Sequence, residues 1–268
     1  MNAPLPFPTS TTPPSSAGRR IPIRTGEIHL WAVSLTAEGD DYRFWLSLLS
    51  EGEKQRADRY RFDQDRRRFV VARGMLRHLL EEYTGTEATR LVIDTDTHGK
   101  PRLVQTARPI HFNLAHSLDR ALIAFSRDSA VGVDFEDLSH QDRVVEVMDS
   151  ICTADEKAAI AALGDEAARS RALLRLWSAK EAFLKAMGTG LHVDPTALCV
   201  SESVWTGSAA PSPVRWEGSP GISSRYALHP LPDCEDWLGG SAAVVAMKLA
   251  VPHRLVWMDL ASEVSAAA

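Results

Sequence analysis

The chain has 268 residues, 44% of them apolar and 24% charged, enough for one large domain or two small lobes of an ordinary globular protein. A formal net charge of -5 argues against a dedicated nucleic-acid binder, which carries an excess of Lys and Arg. The three cysteines, Cys152, Cys199 and Cys234, are odd in number and far apart, which argues against a disulfide framework or a structural zinc site and for a reducing compartment.

Residues 1–23 are rich in Pro, Ser and Thr and cannot offset the entropy of ordering, so a tail is expected there, from which Phe7 or Ile21 could dock. It has no apolar stretch of the secretory kind. No run along the chain approaches the ~20 apolar residues that span a bilayer. A cytoplasmic protein without membrane attachment is expected.

Ile28 to Leu35 alternates as a strand, and a helical stretch follows around Tyr42 to Leu49. Ser50-Glu-Gly-Glu53 has capping-box spacing, which predicts a helix running on through Lys54 to Arg61. A second helix is predicted over Asp65 to Tyr83, with Phe69, Val70, Leu76, Leu79 and Leu80 on its apolar side and Gly85 past its end. Lys54 to Arg77 holds nine basic residues, among them Arg56 and Arg68, on an amphipathic surface suited to phosphates or an acidic partner.

Leu91 to Asp94 reads as a short strand and His98-Gly-Lys-Pro101 as a turn. Strands follow at His111 to Leu114 and Ala121 to Ser126, and Arg127 to Ala130 reads as a hairpin connection to a strand at Val131 to Glu136. Lys100, Asn113, His116 and Ser117 join the residues that could meet a ligand. Beyond them come a helical region near Arg143 to Ser150, a capping box at Thr153-Ala-Asp-Glu156, and a long helix from Asp165 to Met187 that stops at Gly188. Tyr226 to Leu228, Ser241 to Leu249 and Arg254 to Leu260 read as strands, Gly207 to Gly221 as a loop, and the last residues as a frayed end. The expected class is α+β, with two similar lobes divided near Ser126 to Ala130.

Two segments carry chemistry. In Val131-Gly-Val-Asp-Phe-Glu136 strict alternation sends Asp134 and Glu136 to one face, where two carboxylates repel unless a cation lies between them. Oxygen ligands on a strand suit Mg²⁺, and Gly132 would leave that face open to a ligand. The competing reading is a solvated strand face. In Trp177-Ser-Ala-Lys-Glu-Ala-Phe-Leu-Lys185, Glu181 lies at the edge of the buried stripe and shares a face with Lys185, which could hold a phosphate oxygen. A plain surface ion pair competes here, and Lys180 reads as plain surface.

In this order, HGKP at 98–101, FNLAHS at 112–117, GVDFED at 132–137 and WSAKEAFLKAMGTGL at 177–191 resemble the 4′-phosphopantetheinyl transferase superfamily, of the larger surfactin-synthetase-activating type. The resemblance implies an α+β fold of two pseudo-symmetric lobes, each an antiparallel sheet with a packed long helix. It implies an N-terminal lobe at 24–128 for the nucleotide end of coenzyme A and a C-terminal lobe at 129–260 for metal and pyrophosphate; the tail at 1–23 and the frayed tail at 261–268, read from composition, are not part of the family pattern. The implied reaction moves the phosphopantetheine arm of coenzyme A to a serine of an apo acyl or peptidyl carrier protein. Asp134, Glu136 and Glu181 would hold Mg²⁺, with Mn²⁺ as the alternative. Lys185 would contact the pyrophosphate, and Arg68, Lys100 and His116 the nucleotide end, with Arg56 a looser match. Glu181 is the candidate base. A monomer without nucleic-acid or membrane partners is expected. A magnesium-dependent pyrophosphate hydrolase and a non-catalytic coenzyme A or carrier-binding module remain as competing readings.

Overall fold

The computed structural model describes residues 20–104, 109–137, 139, 145–207, 211–216, 218–219, 221, 225–231, 242–248 and 254–258. The expectations for Phe7, for most of the Pro-rich tail, for residues 143–144 and for the frayed end fall outside them. Ile21 does dock: it is buried in the core and its N–H donates to the Glu82 carbonyl at 2.9 Å.

The first half of the chain builds strand β1 (Glu27–Ser34), helices α1 (Gly39–Ser47), α2 (Glu51–Ala57) and α3 (Asp63–Thr84), the hairpin β2 (Ile93–Thr95) and β3 (Pro101–Leu103), then β4 (His111–Ser117) and β5 (Arg120–Ser126). The second half builds β6 (Val131–Glu136), α4 (Met148–Ile151), α5 (Ala154–Ala161), α6 (Glu166–Met187), β7 (Leu198–Val200), α7 (Glu202–Trp205), β8 (Ser212–Trp216), β9 (Tyr226–Pro230), β10 (Ala242–Lys248) and β11 (Arg254–Met258). Both expected capping boxes form. Ser50 accepts from the Glu53 N–H while Glu53 reaches back to the Ser50 N–H, and Thr153 and Glu156 do the same. The two 22-residue helices, α3 and α6, each close on a left-handed glycine, Gly85 (φ 72°) and Gly188 (φ 76°).

A four-stranded sheet of order β11-β1-β5-β4 lies under α3, and a five-stranded sheet of order β6-β10-β9-β8-β7 lies under α6. Strand β1 is buried on both faces. Trp31 and Val33 join Val70, Leu76, Leu79 and Leu80 of α3, while Ile28, Leu30 and Ala32 join Val131, Val133 and Phe135 of β6. Each large apolar side chain so buried contributes roughly 1.5–3 kcal/mol. The two sheets thus share a core. Their seam is stitched by polar groups: Asn113 Oδ1 accepts from the Val133 N–H at 2.8 Å, and Ser117 Oγ from the Asp137 N–H at 3.3 Å.

Several expectations are corrected. Arg127 to Ala130 joins no hairpin, because β5 pairs with β1 and β4 whereas β6 pairs with β10. The connection passes the chain from one sheet to the other. Strand β11 does not stay with the second sheet but returns to pair in parallel with β1, Glu27 opposite Arg254, so the first sheet is not purely antiparallel. The Gly207 to Gly221 stretch contains β8, which pairs with β7 and β9 and buries Val214. Helix α2 ends at Ala57, followed by i→i+3 turns at Arg59 and Tyr60, and does not reach Arg61. Arg77 is no surface residue: it is buried, bonded to Glu53 and to the carbonyls of Ala88 and Leu91.

Gly132 is the sharpest of these. It opens no path for a ligand, because α6 crosses the strand there. A Cβ at Gly132 would stand 2.1 Å from the Ala182 carbonyl oxygen and 2.3 Å from the Ala186 nitrogen. Strand and helix backbones can approach this closely only without a side chain. Gly132→Ala is therefore expected to lower stability by about 1–3 kcal/mol or more through forced separation of β6 and α6, read as a lower urea midpoint. An unchanged midpoint would mean the crossing is loose.

Candidate functional site

Strand β6 alternates as expected, but neither face is solvated. Its apolar side chains meet the first sheet, and Asp134 faces α6 with only 4% of its surface exposed. Lys185, on the last turn of α6, donates to Asp134 Oδ1 at 2.5 Å. The Lys185 ammonium loses hydration there, which would lower its pKa. The charge and hydrogen bond of Asp134, with Glu181 and Glu136 behind, outweigh this and raise it above the ordinary lysine value. Lys185 therefore pairs across to the strand; the i,i+4 surface pair with Glu181 is not the contact that forms.

Glu181 lies half-buried on the same side of α6. Burial, together with the like charges of Asp134 and Glu136 and against the pull of Lys185, raises its pKa above the ordinary glutamate value. The charges of Asp134 and Glu136 thus act on Glu181, a grouping that the family resemblance, not the spacing, implies. Asp134 Oδ2 is buried and makes no hydrogen bond. An orphaned carboxylate oxygen beside two further carboxylates suits a hard cation, so the residues present fit Mg²⁺. Among the described residues, no three acidic, His or Cys side chains are gathered tightly enough to form a complete cation cage. A cation held here would take part of its shell from substrate phosphate or water.

An open cleft of about 710 Å³ runs outward from Glu136 between the two halves of the molecule. The first half lines it with Tyr60, Asp65, Arg68, Phe69, His116, Ser117 and Leu118, the second with Glu136, Val147 and Trp177. Arg68 is aimed by Asp119 at 2.8 Å and Asp65 at 3.4 Å. Asp119 lies in the tight β4–β5 turn, where Leu118 takes φ 51°, an uncommon conformation for a non-glycine residue. The turn's geometry thus delivers Leu118 to the cleft and Asp119 to Arg68. His116 has its pKa pushed below the ordinary histidine value by desolvation and by the positive charges of Lys185 and Arg68, so the neutral ring is favoured.

The structure therefore gathers Arg68, His116, Ser117 and Glu136 in one cleft. Asp134, Glu181 and Lys185 are not in its lining; they connect to it through Glu136, two residues from Asp134 on β6, and through the charge of Lys185 that acts on His116. The structure does not gather the rest. Arg56 stacks its guanidinium over Phe69 at 5.2 Å, behind the cleft wall. Asn113 is spent on the seam. Lys100 is turned away from the cleft lining toward the carbonyls of Val131 and Ala186. Sequence reasoning missed Tyr60 and Leu118 as cleft residues and Asp119 as the partner of Arg68, and took Phe69 for core alone. An aromatic among the basic residues of the predicted helix, ahead of Arg68, was the available signal for Tyr60.

Lys180 is corrected outright. It is fully buried, with Nζ donating to Glu156 at 2.6 Å, the Ile151 carbonyl at 2.7 Å and the Pro195 carbonyl at 2.9 Å. Cys152 is buried too, and burial pushes its thiol up to about 11, which keeps it inert. No helix among the described residues is long and apolar enough to cross a membrane.

Comparison with known proteins adds independent support. Residues 130–227 match the 4′-phosphopantetheinyl transferase superfamily, and residues 34–128 match the family described as 4′-phosphopantetheinyl transferase, N-terminal. The chain is 32% identical over 171 residues to the 4′-phosphopantetheinyl transferase HetI of Nostoc sp., covering 63% of this chain and 72% of that protein. It is 33% identical over 144 residues to the 4′-phosphopantetheinyl transferase psf-1 of Bacillus pumilus, covering 53% and 59%. It is 28% identical over 173 residues to the human L-aminoadipate-semialdehyde dehydrogenase-phosphopantetheinyl transferase, covering 60% and 56%. For the last two, the match spans less than two thirds of the relative's length.

Proposed function

Because this chain belongs to the 4′-phosphopantetheinyl transferase superfamily, we propose that it moves the phosphopantetheine arm of coenzyme A onto a serine of an apo acyl or peptidyl carrier protein and releases 3′,5′-ADP. The observation that carries this reading is the Asp134–Lys185 pair, with its orphaned carboxylate oxygen, two residues along β6 from Glu136, which lines a cleft together with Arg68 and His116. That arrangement offers cations to a polyphosphate and carboxylates to a metal ion in one place.

In this reading Arg68, His116 and Ser117 receive the nucleotide end of coenzyme A, Arg56 adds positive charge behind Phe69, and Asn113 holds the strand seam that keeps His116 in place. Asp134, Glu136 and Glu181 would hold Mg²⁺ or, as the alternative, Mn²⁺. When bound, the ion would neutralise pyrophosphate oxygens and charge on the leaving group. Lys185 moves its ammonium from Asp134 toward the pyrophosphate as the substrate enters. The carrier serine oxygen bonds to the β-phosphorus, the bond from that phosphorus to the 3′,5′-ADP oxygen breaks, and Glu181 accepts the serine proton. Most of the rate comes from positioning and charge neutralisation. The setting we propose is the cytoplasm, with the chain acting as a monomer.

The test is release of 3′,5′-ADP from coenzyme A and Mg²⁺ with and without an apo carrier protein. Release that requires the carrier is expected. Equal release without it would replace this reading with a pyrophosphate hydrolase.

A further inference from the structure

The His98-Gly-Lys-Pro101 turn does something other than face the cleft. Lys100 Nζ donates to the Val131 carbonyl at 3.2 Å and to the Ala186 carbonyl at 3.1 Å. Val131 opens β6, three residues before Asp134. Ala186 follows Lys185 on α6. One ammonium from the β2–β3 hairpin thus touches both elements that carry the carboxylates and the phosphate lysine. Lys100 makes no ion pair among the described residues; its partners are neutral carbonyls, one of them at the negative end of the α6 dipole.

The surroundings are shaped to hold it there. Asp96 Oδ1 accepts from the backbone N–H of His98 and of Lys100, both at 2.9 Å, and Gly99 takes φ 85°, so the turn presents Lys100 in one direction. At the helix end, a Cβ on Gly188 would stand 3.1 Å from Asp96 Oδ2 and 3.3 Å from Lys100 Cδ, so any side chain there would have to push the hairpin's side chains back by a few tenths of an ångström. At Gly132, next to Val131, the α6 backbone lies where a Cβ would be. His98 from the hairpin also packs edge-on against His192 beyond α6, with centroids 5.2 Å apart.

We propose that Lys100 is a positioning residue: it clamps the end of α6 to the start of β6 and so fixes the spacing of Asp134 and Glu136 from Glu181 and Lys185. This departs from the nucleotide contact that the sequence resemblance implies for Lys100, and it rests on the transferase reading above. Desolvation, partly relieved by Asp96, brings the ammonium down to about 8, as befits a lysine committed to carbonyls and not to solvent.

The experiment compares wild type, Lys100→Met and Lys100→Arg for kcat, KM for coenzyme A, and the Mg²⁺ concentration at half-maximal rate. Coenzyme A affinity by calorimetry without metal supplies a readout apart from turnover. For Lys100→Met, kcat is expected to fall about tenfold or more and the Mg²⁺ requirement to rise, with KM and metal-free affinity for coenzyme A within about twofold of wild type. Lys100→Arg, which keeps the cation, is expected to recover most of kcat. If Lys100→Met does not fold, Lys100→Gln, which can still donate to one carbonyl, is expected to show the same split. Weakened coenzyme A binding with unchanged kcat would overturn the proposal in favour of a nucleotide contact, as would wild-type kcat in either neutral variant. Loss of the transferase reading itself would show separately, as a wild-type protein that transfers no arm.

Discussion

Asp134→Asn is expected to reduce arm transfer by about 10³-fold or more while leaving the protein folded, with a melting temperature within a few degrees of wild type. Asparagine keeps the shape and one acceptor for Lys185 but removes the charge that Lys185 and a metal ion would share. The stability cost is small for a specific reason. Lys185 pairs with Asp134 Oδ1, but Oδ2 is buried without a hydrogen bond, so the native carboxylate is only half compensated. Lys185 keeps 29% of its side chain exposed and retains the charges of Glu181 and Glu136 nearby. A charged group that contributes little to stability yet is held in place marks a site kept for function. Turnover near wild type, measured with saturating coenzyme A and carrier, would remove Asp134 from the site. A collapse in melting temperature would make it a structural residue.

Lys180→Met is expected to do the reverse, lowering stability by about 3–5 kcal/mol and the urea midpoint accordingly. Lys180 has no exposed surface, and its ammonium satisfies Glu156 and two carbonyls at once. Glu156 in turn caps α5 and accepts from the Val200 N–H at 2.9 Å. Removing Lys180 leaves a buried carboxylate uncompensated where α4, α5, α6 and β7 meet. Adding Glu156→Gln to Lys180→Met is expected to recover part of the loss, since the orphaned charge goes with it. An unchanged midpoint with lost activity would instead place Lys180 in the chemistry.

These two lysines show where the sequence could be read and where it could not. Lys180 and Lys185 lie five positions apart, about 140° around the helix. Only Lys185 pairs with Asp134. Nothing in Trp177-Ser-Ala-Lys-Glu-Ala-Phe-Leu-Lys185 settles which lysine is buried, because α6 is wrapped by a sheet on one side and by α5, α7 and β7 on others. A helix buried nearly all round gives no clean amphipathic stripe. By contrast the shared face of Asp134 and Glu136 followed from alternation, though not their role, and both capping boxes followed from their spacing. Alternation names the face but not what covers it, so Gly132 read as open although α6 lies across it. The β5–β6 connection was misread because a short link between strands has the same composition whether it turns back or crosses to another sheet. Strand β8 hid behind Pro213 and its Ser-rich surroundings; its place is set by pairing with β9, a tertiary cause that local propensity does not record. The return of β11 to β1 is a long-range pairing of the same kind.

The most direct measurement is intact-protein mass spectrometry of an apo carrier protein incubated with this protein, coenzyme A and Mg²⁺. The expected result is a carrier heavier by one phosphopantetheine arm, formed by the wild type and absent with Asp134→Asn. A carrier that keeps its apo mass with active coenzyme A and metal present, or that gains the arm equally with Asp134→Asn, would contradict the assignment of the cleft as the transfer site.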